Sequence, residues 1–199
     1  MTGNAGSGMT NVSETKNVNF IHINKTGGTS IKKALELPAG KCKHMTAREV
    51  IRDIGRDSWG KSFSFVVVRN PWDKVISHYF HRVKTNQTGL GDGSISFNDW
   101  VKLAYGEMDP RYYDKPLMFM PQLDWIVDDN MSIVVDHVCR FENLEQDFKF
   151  VCDKLGSNAS LTCENATSHM HYRSYYNQES ADIVASWFCM DIEEFGYRF

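Results

Sequence analysis

Apolar residues in this chain gather in two short runs that suit strands and in several longer stretches with helical spacing. Val18 to Ile23 is apolar and β-prone, and it reads as a buried strand. Gly27-Gly28 follows, and Thr29 to Leu37 then reads as a helix stopped by Pro38. Phe63-Ser64-Phe65-Val66-Val67-Val68 is the strongest strand of the chain. It is apolar nearly throughout, as a strand covered on both faces should be. Pro71 stands where a helix can begin, and Trp72 to Val83 continues it. Between these two units, Thr46 to Ile54 carries Val50, Ile51 and Ile54 at helical spacing. Thr46 is placed to cap that helix, with Glu49 three residues on.

Farther along, Thr85 to Ser96 is polar and glycine-rich and reads as a loop. Phe97 to Tyr105 reads as a short helix, and Met108 to Pro121 as irregular chain. Ser132 to Asp136 is the third predicted strand. Glu142 to Leu155 is an amphipathic helix ended by Gly156, and Glu179 to Met190 is a last helix before an aromatic tail. Strands alternating with helices predict an α/β domain, three-layer αβα with a mostly parallel sheet, over residues 18–199. Residues 1–17 are polar and read as a flexible arm or expression scar, with Met9 as an alternative start.

Composition narrows the function classes. A net charge of −3 over 199 residues gives no global basic field for nucleic acid or an acidic membrane, so any anion site must be local. No apolar run approaches the roughly 20 residues that span a bilayer. Cys42, Cys139, Cys152, Cys163 and Cys189 are odd in number and include no CxxC pair. Reduced, mostly buried thiols in a cytoplasmic protein are the expectation. Asn24-Lys25-Thr26 is formally a glycosylation acceptor, but a glycan there would block the loop described next.

Lys25-Thr26-Gly27-Gly28-Thr29-Ser30 carries the sharpest chemical signal. A strand delivers the chain to a turn whose glycines let backbone N–H groups approach an anion, and a helix N-terminus follows. Thr26, Thr29 and Ser30 add hydroxyl donors, and Lys25 adds a full charge. Gly-Gly alone would suit an ordinary capped turn; the lysine and three hydroxyls point to phosphate. The order differs from the Walker loop GxxxxGK[ST], because here the lysine precedes the glycines. Lys-Thr-Gly-Gly-Thr-Ser resembles the 5′-phosphosulfate loop of sulfotransferases that use 3′-phosphoadenosine 5′-phosphosulfate (PAPS), the carbohydrate type and its bacterial relatives above all.

A second motif agrees with the first. Arg69 ends the strongest strand, where open α/β sheets bind ligands, and Ser77 follows eight residues later on the next helix. An arginine fork plus a hydroxyl suits a terminal phosphate. The pattern Arg-Asn-Pro-Trp-x-x-x-x-Ser-x-Tyr from Arg69 to Tyr79 resembles the sulfotransferase 3′-phosphate motif. The resemblance implies that Arg69 and Ser77 hold the 3′-phosphate of PAPS, and that PAP is the product. It continues through Arg140-Phe141-Glu142-Asn143-Leu144 and Tyr172-Arg173-Ser174-Tyr175-Tyr176, and so covers about residues 18–199. Arg173 is a candidate cofactor contact; structural roles for it and for Arg140 remain open.

The resemblance implies sulfuryl transfer to a hydroxyl of a carbohydrate or other small molecule, without a metal. No HExxH or clustered His/Cys set is present. Lys25 is the candidate for stabilising the leaving oxygen. By its place between the two motifs, His44 takes the base role that the related carbohydrate enzymes give a histidine. Other histidines stay in view: His22 as structural, His78, His81, His169 and His171 as cleft candidates. Loops 85–96 and 106–121 are expected to shape the acceptor pocket. Tyr105, Tyr112, Tyr113, Phe119 and Trp125 serve there either as aromatic surfaces or as core, with core preferred for Trp125. Two other readings remain. One is a P-loop nucleotide kinase, with Asp136 ending a strand as its magnesium ligand. The other is a non-catalytic PAP-binding module.

Overall fold

The strand expected at Phe63–Val68 forms over those residues, and the one expected from Val18 runs Val18–Ile21. The structure, a computed structural model, describes residues 12–13, 18–37, 44–161 and 170–199. Its strands are β1 (Val12–Ser13), β2 (Val18–Ile21), β3 (Phe63–Val68) and β4 (His137–Arg140). Its helices are α1 (Gly28–Ala34), α2 (Ala47–Ile54), α3 (Arg56–Gly60), α4 (Pro71–Lys84), α5 (Phe97–Val101), α6 (Pro116–Phe119), α7 (Leu144–Leu155), α8 (Gln178–Trp187) and α9 (Cys189–Phe195). The sheet order is β1-β2-β3-β4. β2 and β3 run parallel in the register Val18↔Phe63 to Ile21↔Val66, and the chain is of the α/β class. β1, inside the stretch read as an arm, pairs antiparallel with β2. Met9, Pro38, Cys42, Cys163 and His169 lie outside the described residues.

The chain divides into two compact units. One comprises Met1–Ile23, Gly27–Val67 and Trp125–Glu164; the other comprises Asn24–Thr26, Val68–Asp124 and Asn165–Phe199.

The first unit holds the sheet. The two-residue strand period puts Val18 and Phe20 of β2 with Phe65 and Val67 of β3 in one core. Ile31 and Leu35 join from the α1 side, and Phe148, Val151 and Cys152 from α7. Phe20 and Phe65 stack with centroids 4.7 Å apart. α2 starts as its sequence indicates: Thr46 Oγ1 accepts from Glu49 N at 3.3 Å, and Glu49 Oε2 accepts from Thr46 N at 2.7 Å. Such a capping box contributes about 1 kcal/mol. α1 stops at Ala34, three residues before the expected Leu37. Glu36 turns left-handed (φ 54°) and the Leu37 N–H closes on Lys32 O at 2.9 Å, so the helix ends before Pro38 can act.

The third strand is displaced from its expected place, Ser132–Asp136, to His137–Arg140. Asp128 Oδ1 accepts from the Asn130 and Ser132 N–H groups, and Val127 bridges antiparallel to Ile133. Ile133 is therefore spent on a local turn-back. Asp136 then binds the start of β3: its Oδ2 accepts from Ser64 N and Ser64 Oγ, both at 2.7 Å. That is the end of β3 opposite the one leading to Arg69, which removes the support for Asp136 as a magnesium ligand.

The second unit is helical. Asn70 caps α4 by accepting from Trp72 N at 3.1 Å, and Pro71 is its first residue. Trp72, Val75, Ile76 and Tyr79 bury its apolar side. Trp72 Nε1 donates to Ala181 O of α8 at 3.0 Å. The stretch Thr85–Ser96, read as loop, contains a 3-10 segment, Gln87–Asp92, interrupted where Thr88 and Gly89 take positive φ. α5 runs on as a wider turn, Lys102–Gly106, and α6 adds one turn within the irregular Met108–Pro121. The expected last helix is two, α8 and α9, because Phe188 (φ −105°) leaves helical geometry with its side chain fully buried. No helix among the described residues is long and apolar enough to cross a membrane.

Candidate functional site

Lys25 and Arg69, 44 residues apart in sequence, come together in the second unit. β3 ends at Val68 and so delivers Arg69 directly, nearly buried at 6% exposure. Its guanidinium is fixed from two sides. Nε and Nη2 donate to Asp73 Oδ2, each at 2.8 Å, and Nη1 donates to Lys25 O at 3.0 Å. Asp73 is four residues on, in the first turn of α4, which is the spacing at which helix-side partners meet. Lys25 is half-buried and adopts a left-handed backbone (φ 65°), uncommon for a side chain with a Cβ. Burial, then the Arg69 charge and then Lys84, pull its amine down to about 8. Two cations held together at partial burial favour an anion between or beside them. Thr26 and Ser77 are buried, Thr26 completely.

Gly27 and Gly28 belong to the first unit, and each is required there. Gly27 sits at φ 80°, and a Cβ on it would come within 3.1 Å of Leu144 and 3.3 Å of Phe141. A Cβ on Gly28 would lie 2.0 Å from the His22 ring. His22, read as structural, thus packs against the loop glycine. Thr29 is exposed and Ser30 half-exposed in the first turn of α1.

His44 also lies in the first unit, half-exposed and left-handed (φ 72°). Its Nδ1 is 2.8 Å from His22 O, and its ring lies 4.6 Å from the His22 ring. A carbonyl only accepts, so Nδ1 carries the proton and neutral His44 keeps its lone pair on Nε2. Thr46, not His44, caps α2.

The remaining candidates separate by burial. His78 is buried between Trp100 and Phe119, and desolvation followed by Lys74, Arg82 and Lys25 holds it neutral, well below the usual histidine range. His81 and His171 are exposed. Arg173 is exposed, donates to Phe199 O and stacks on the Phe199 ring. Arg140 ends β4, and its backbone N–H is taken by Asp147. Tyr105, Phe119 and Trp125 are core residues, whereas Tyr112 and Tyr113 are half-buried. Tyr105, Gly106 and Met108 nevertheless form one wall of an open depression of about 600 Å³, with Glu179, Asp182, Ile183, Ser186 and Trp187 opposite. Among the described residues no group of three or more His, Cys, Asp or Glu is placed to hold a metal. Cys139 and Cys152 are buried reduced thiols, Cys189 an exposed one, and burial pushes the Cys139 thiol up to about 12.

Sequence reasoning passed over two residues that hold Arg69, Asp73 and Gln122, and a third, Asp191, that holds Gln122. Asp73 was visible, as the residue four after Arg69. Gln122 and Asp191 were not: Gln122 follows the last proline of an irregular stretch, and Asp191 lies just beyond the expected end of a surface helix.

Comparisons with known proteins show a family and a similar fold. The model of the sulfotransferase family matches residues 9–198. An uncharacterized protein of Archaeoglobus fulgidus is 26% identical over 132 residues, covering 65% of this chain and 98% of that protein. The crystal structure of a sulfotransferase from Alicyclobacillus acidocaldarius is similar in fold, with a TM-score of 0.50 and 12% identity. That similarity covers 92% of this chain and 96% of the other.

Proposed function

The chain belongs to the sulfotransferase family, and we propose that it moves the sulfuryl group of PAPS to a hydroxyl of a carbohydrate or other small molecule, releasing PAP. Lys25, Thr26, Gly27, Gly28, Thr29 and Ser30, contiguous in the chain, take the 5′-phosphosulfate; Arg69 and Ser77 take the 3′-phosphate. The observation that supports this reading is the 3.0 Å bond from Arg69 Nη1 to Lys25 O, which joins the lysine of the first motif to the arginine of the second. An adenosine phosphorylated at both ends is a ligand with anions for both.

In the transfer, the acceptor oxygen forms its bond to sulfur while the bridging oxygen leaves with PAP. Lys25 compensates the charge that grows on that oxygen, worth about 10²- to 10³-fold in comparable electrostatic roles. The acceptor proton passes to His44 Nε2, the ring nitrogen that stays unprotonated when Nδ1 donates to His22 O. Arg173, whose Nη2 donates to Phe199 O, is a further candidate cofactor contact. The acceptor lies against the 106–121 stretch, whose Met118 O accepts from Nδ2 of Asn24, the residue before Lys25, at 3.0 Å.

Transfer of radiolabelled sulfate from PAPS across a panel of sugars, phenols and alcohols tests the proposal. Label moved to at least one hydroxyl, with PAP released in equal amount, is expected. PAP binding with no transfer to any acceptor would leave the chain a binding module.

A further inference from the structure

Arg69 is held twice, by its side chain and by its backbone, and the backbone grip is unusual. A single side chain, Gln122, takes both polar groups of the Arg69 backbone. Oε1 accepts from Arg69 N at 2.8 Å, and Nε2 donates to Arg69 O at 2.8 Å. An amide side chain here does what a neighbouring strand does along a ladder, at the residue where β3 has ended. Gln122 is fully buried and is itself pinned. Asp191 Oδ2 accepts from Gln122 N at 2.8 Å and from Gln122 Nε2 at 3.1 Å, and Asp191 Oδ1 accepts from Leu123 N at 2.9 Å. Asp191 is fully buried too, and the buried Lys74 amine, over the Phe188 ring at 5.2 Å, offsets its charge. Every polar atom of Gln122 that faces Arg69 is thus satisfied in a dry setting, the condition under which a polar network is rigid.

We propose that Gln122 is a positioning residue for Arg69, with Asp191 fixing Gln122, so that the guanidinium reaches an anion from one set origin. The division of labour is plain. Asp73 sets the rotation of the guanidinium; Gln122 sets where the side chain starts. The inference rests on Arg69 being the 3′-phosphate ligand for its consequence in binding, though not for the geometry itself.

The test compares wild type, Gln122→Met, Asp191→Asn and Arg69→Ala by calorimetric titration with PAP and with adenosine 5′-phosphate, which lacks the 3′-phosphate. Gln122→Met should weaken PAP by about tenfold or more, the scale of one lost buried hydrogen bond. Affinity for adenosine 5′-phosphate should stay within about twofold. Added to Arg69→Ala, Gln122→Met should cost little further, because both act through one group. Asp191→Asn, nearly isosteric, should give the same ligand pattern more weakly and covers the case of a Gln122→Met chain that does not fold. Equal losses for both ligands, or additive losses in the double variant, would overturn the proposal. Should wild type bind PAP no better than adenosine 5′-phosphate, the 3′-phosphate assignment fails by itself. The NMR signal of the Arg69 Nε–H, ligand-free, then decides. Its solvent exchange must quicken in Gln122→Met or Asp191→Asn, and an unchanged rate refutes the positioning role.

Discussion

Two strand–loop–helix stretches carry the candidate chemistry, and they are built by opposite means. After β2, the loop is made by leaving atoms out: Gly27 needs its positive φ, and Gly28 has the His22 ring where a Cβ would be. α1 then runs only seven residues and has no side-chain cap. After β3, the turn is made by adding side chains: Asn70 caps, Asp73 forks Arg69, and Gln122 grips its backbone. α4 then runs fourteen residues. In the proposed roles, a loop that yields backbone N–H groups to an anion is kept bare, whereas a site that offers one guanidinium needs scaffolding. The first should fail through bulk and the second through lost partners.

The largest effect is expected at Lys25. Lys25→Ala should lower sulfate transfer by about 10³-fold, the upper end of the range for such electrostatic roles, read as radiolabel transferred per minute. His44→Ala should follow, losing about 10²-fold or more in turnover while PAP affinity holds. Full activity in that variant would remove His44 as base. Arg69→Ala should weaken PAP binding by about 10- to 100-fold. Gly28→Ala separates the two construction modes. It should cost about 1–3 kcal/mol in denaturant unfolding, because the His22 ring has to move. Alanine tolerated there without loss of stability would break the contrast.

The smallest effect is in pH. In the proposed role Lys25 binds an anion as a cation, and burial beside Arg69 pulls its amine down from 10.5 to about 8. PAP affinity should therefore decline as pH rises through about 8, and Lys25→Met should flatten the profile. Between about 8 and 10.5 the unfolded chain holds more protons at this lysine than the folded one. Its contribution to stability therefore rises with pH over the window in which binding falls. A parallel loss of binding and stability would instead mark general unfolding.

Legibility in the sequence followed the same contrast. β3, α2 with its capping box, and α4 behind Asn-Pro were readable because local chemistry alone decides them. Lys25, the glycines and Arg69 were readable because their signals are contiguous. The third strand was misplaced, since an apolar run at Ile133–Val135 is indistinguishable locally from a strand until Asp128 folds it back. The break at Phe188 was hidden for a related reason: the helical period continues across it, and only burial of Phe188 and Asp191 shows the turn. Gln122 and Asp191 act over 53 and 69 residues of separation, beyond any motif.

The central claim is that one ligand with phosphates at both ends engages Lys25 and Arg69 without a metal. Calorimetric titration of wild type and Arg69→Ala with PAP in chelator, and with ATP and magnesium, tests it most directly. Tight PAP binding in chelator, weakened in Arg69→Ala and stronger than that of ATP with magnesium, is the predicted result. ATP binding that requires magnesium, or PAP affinity unchanged in Arg69→Ala, would contradict it.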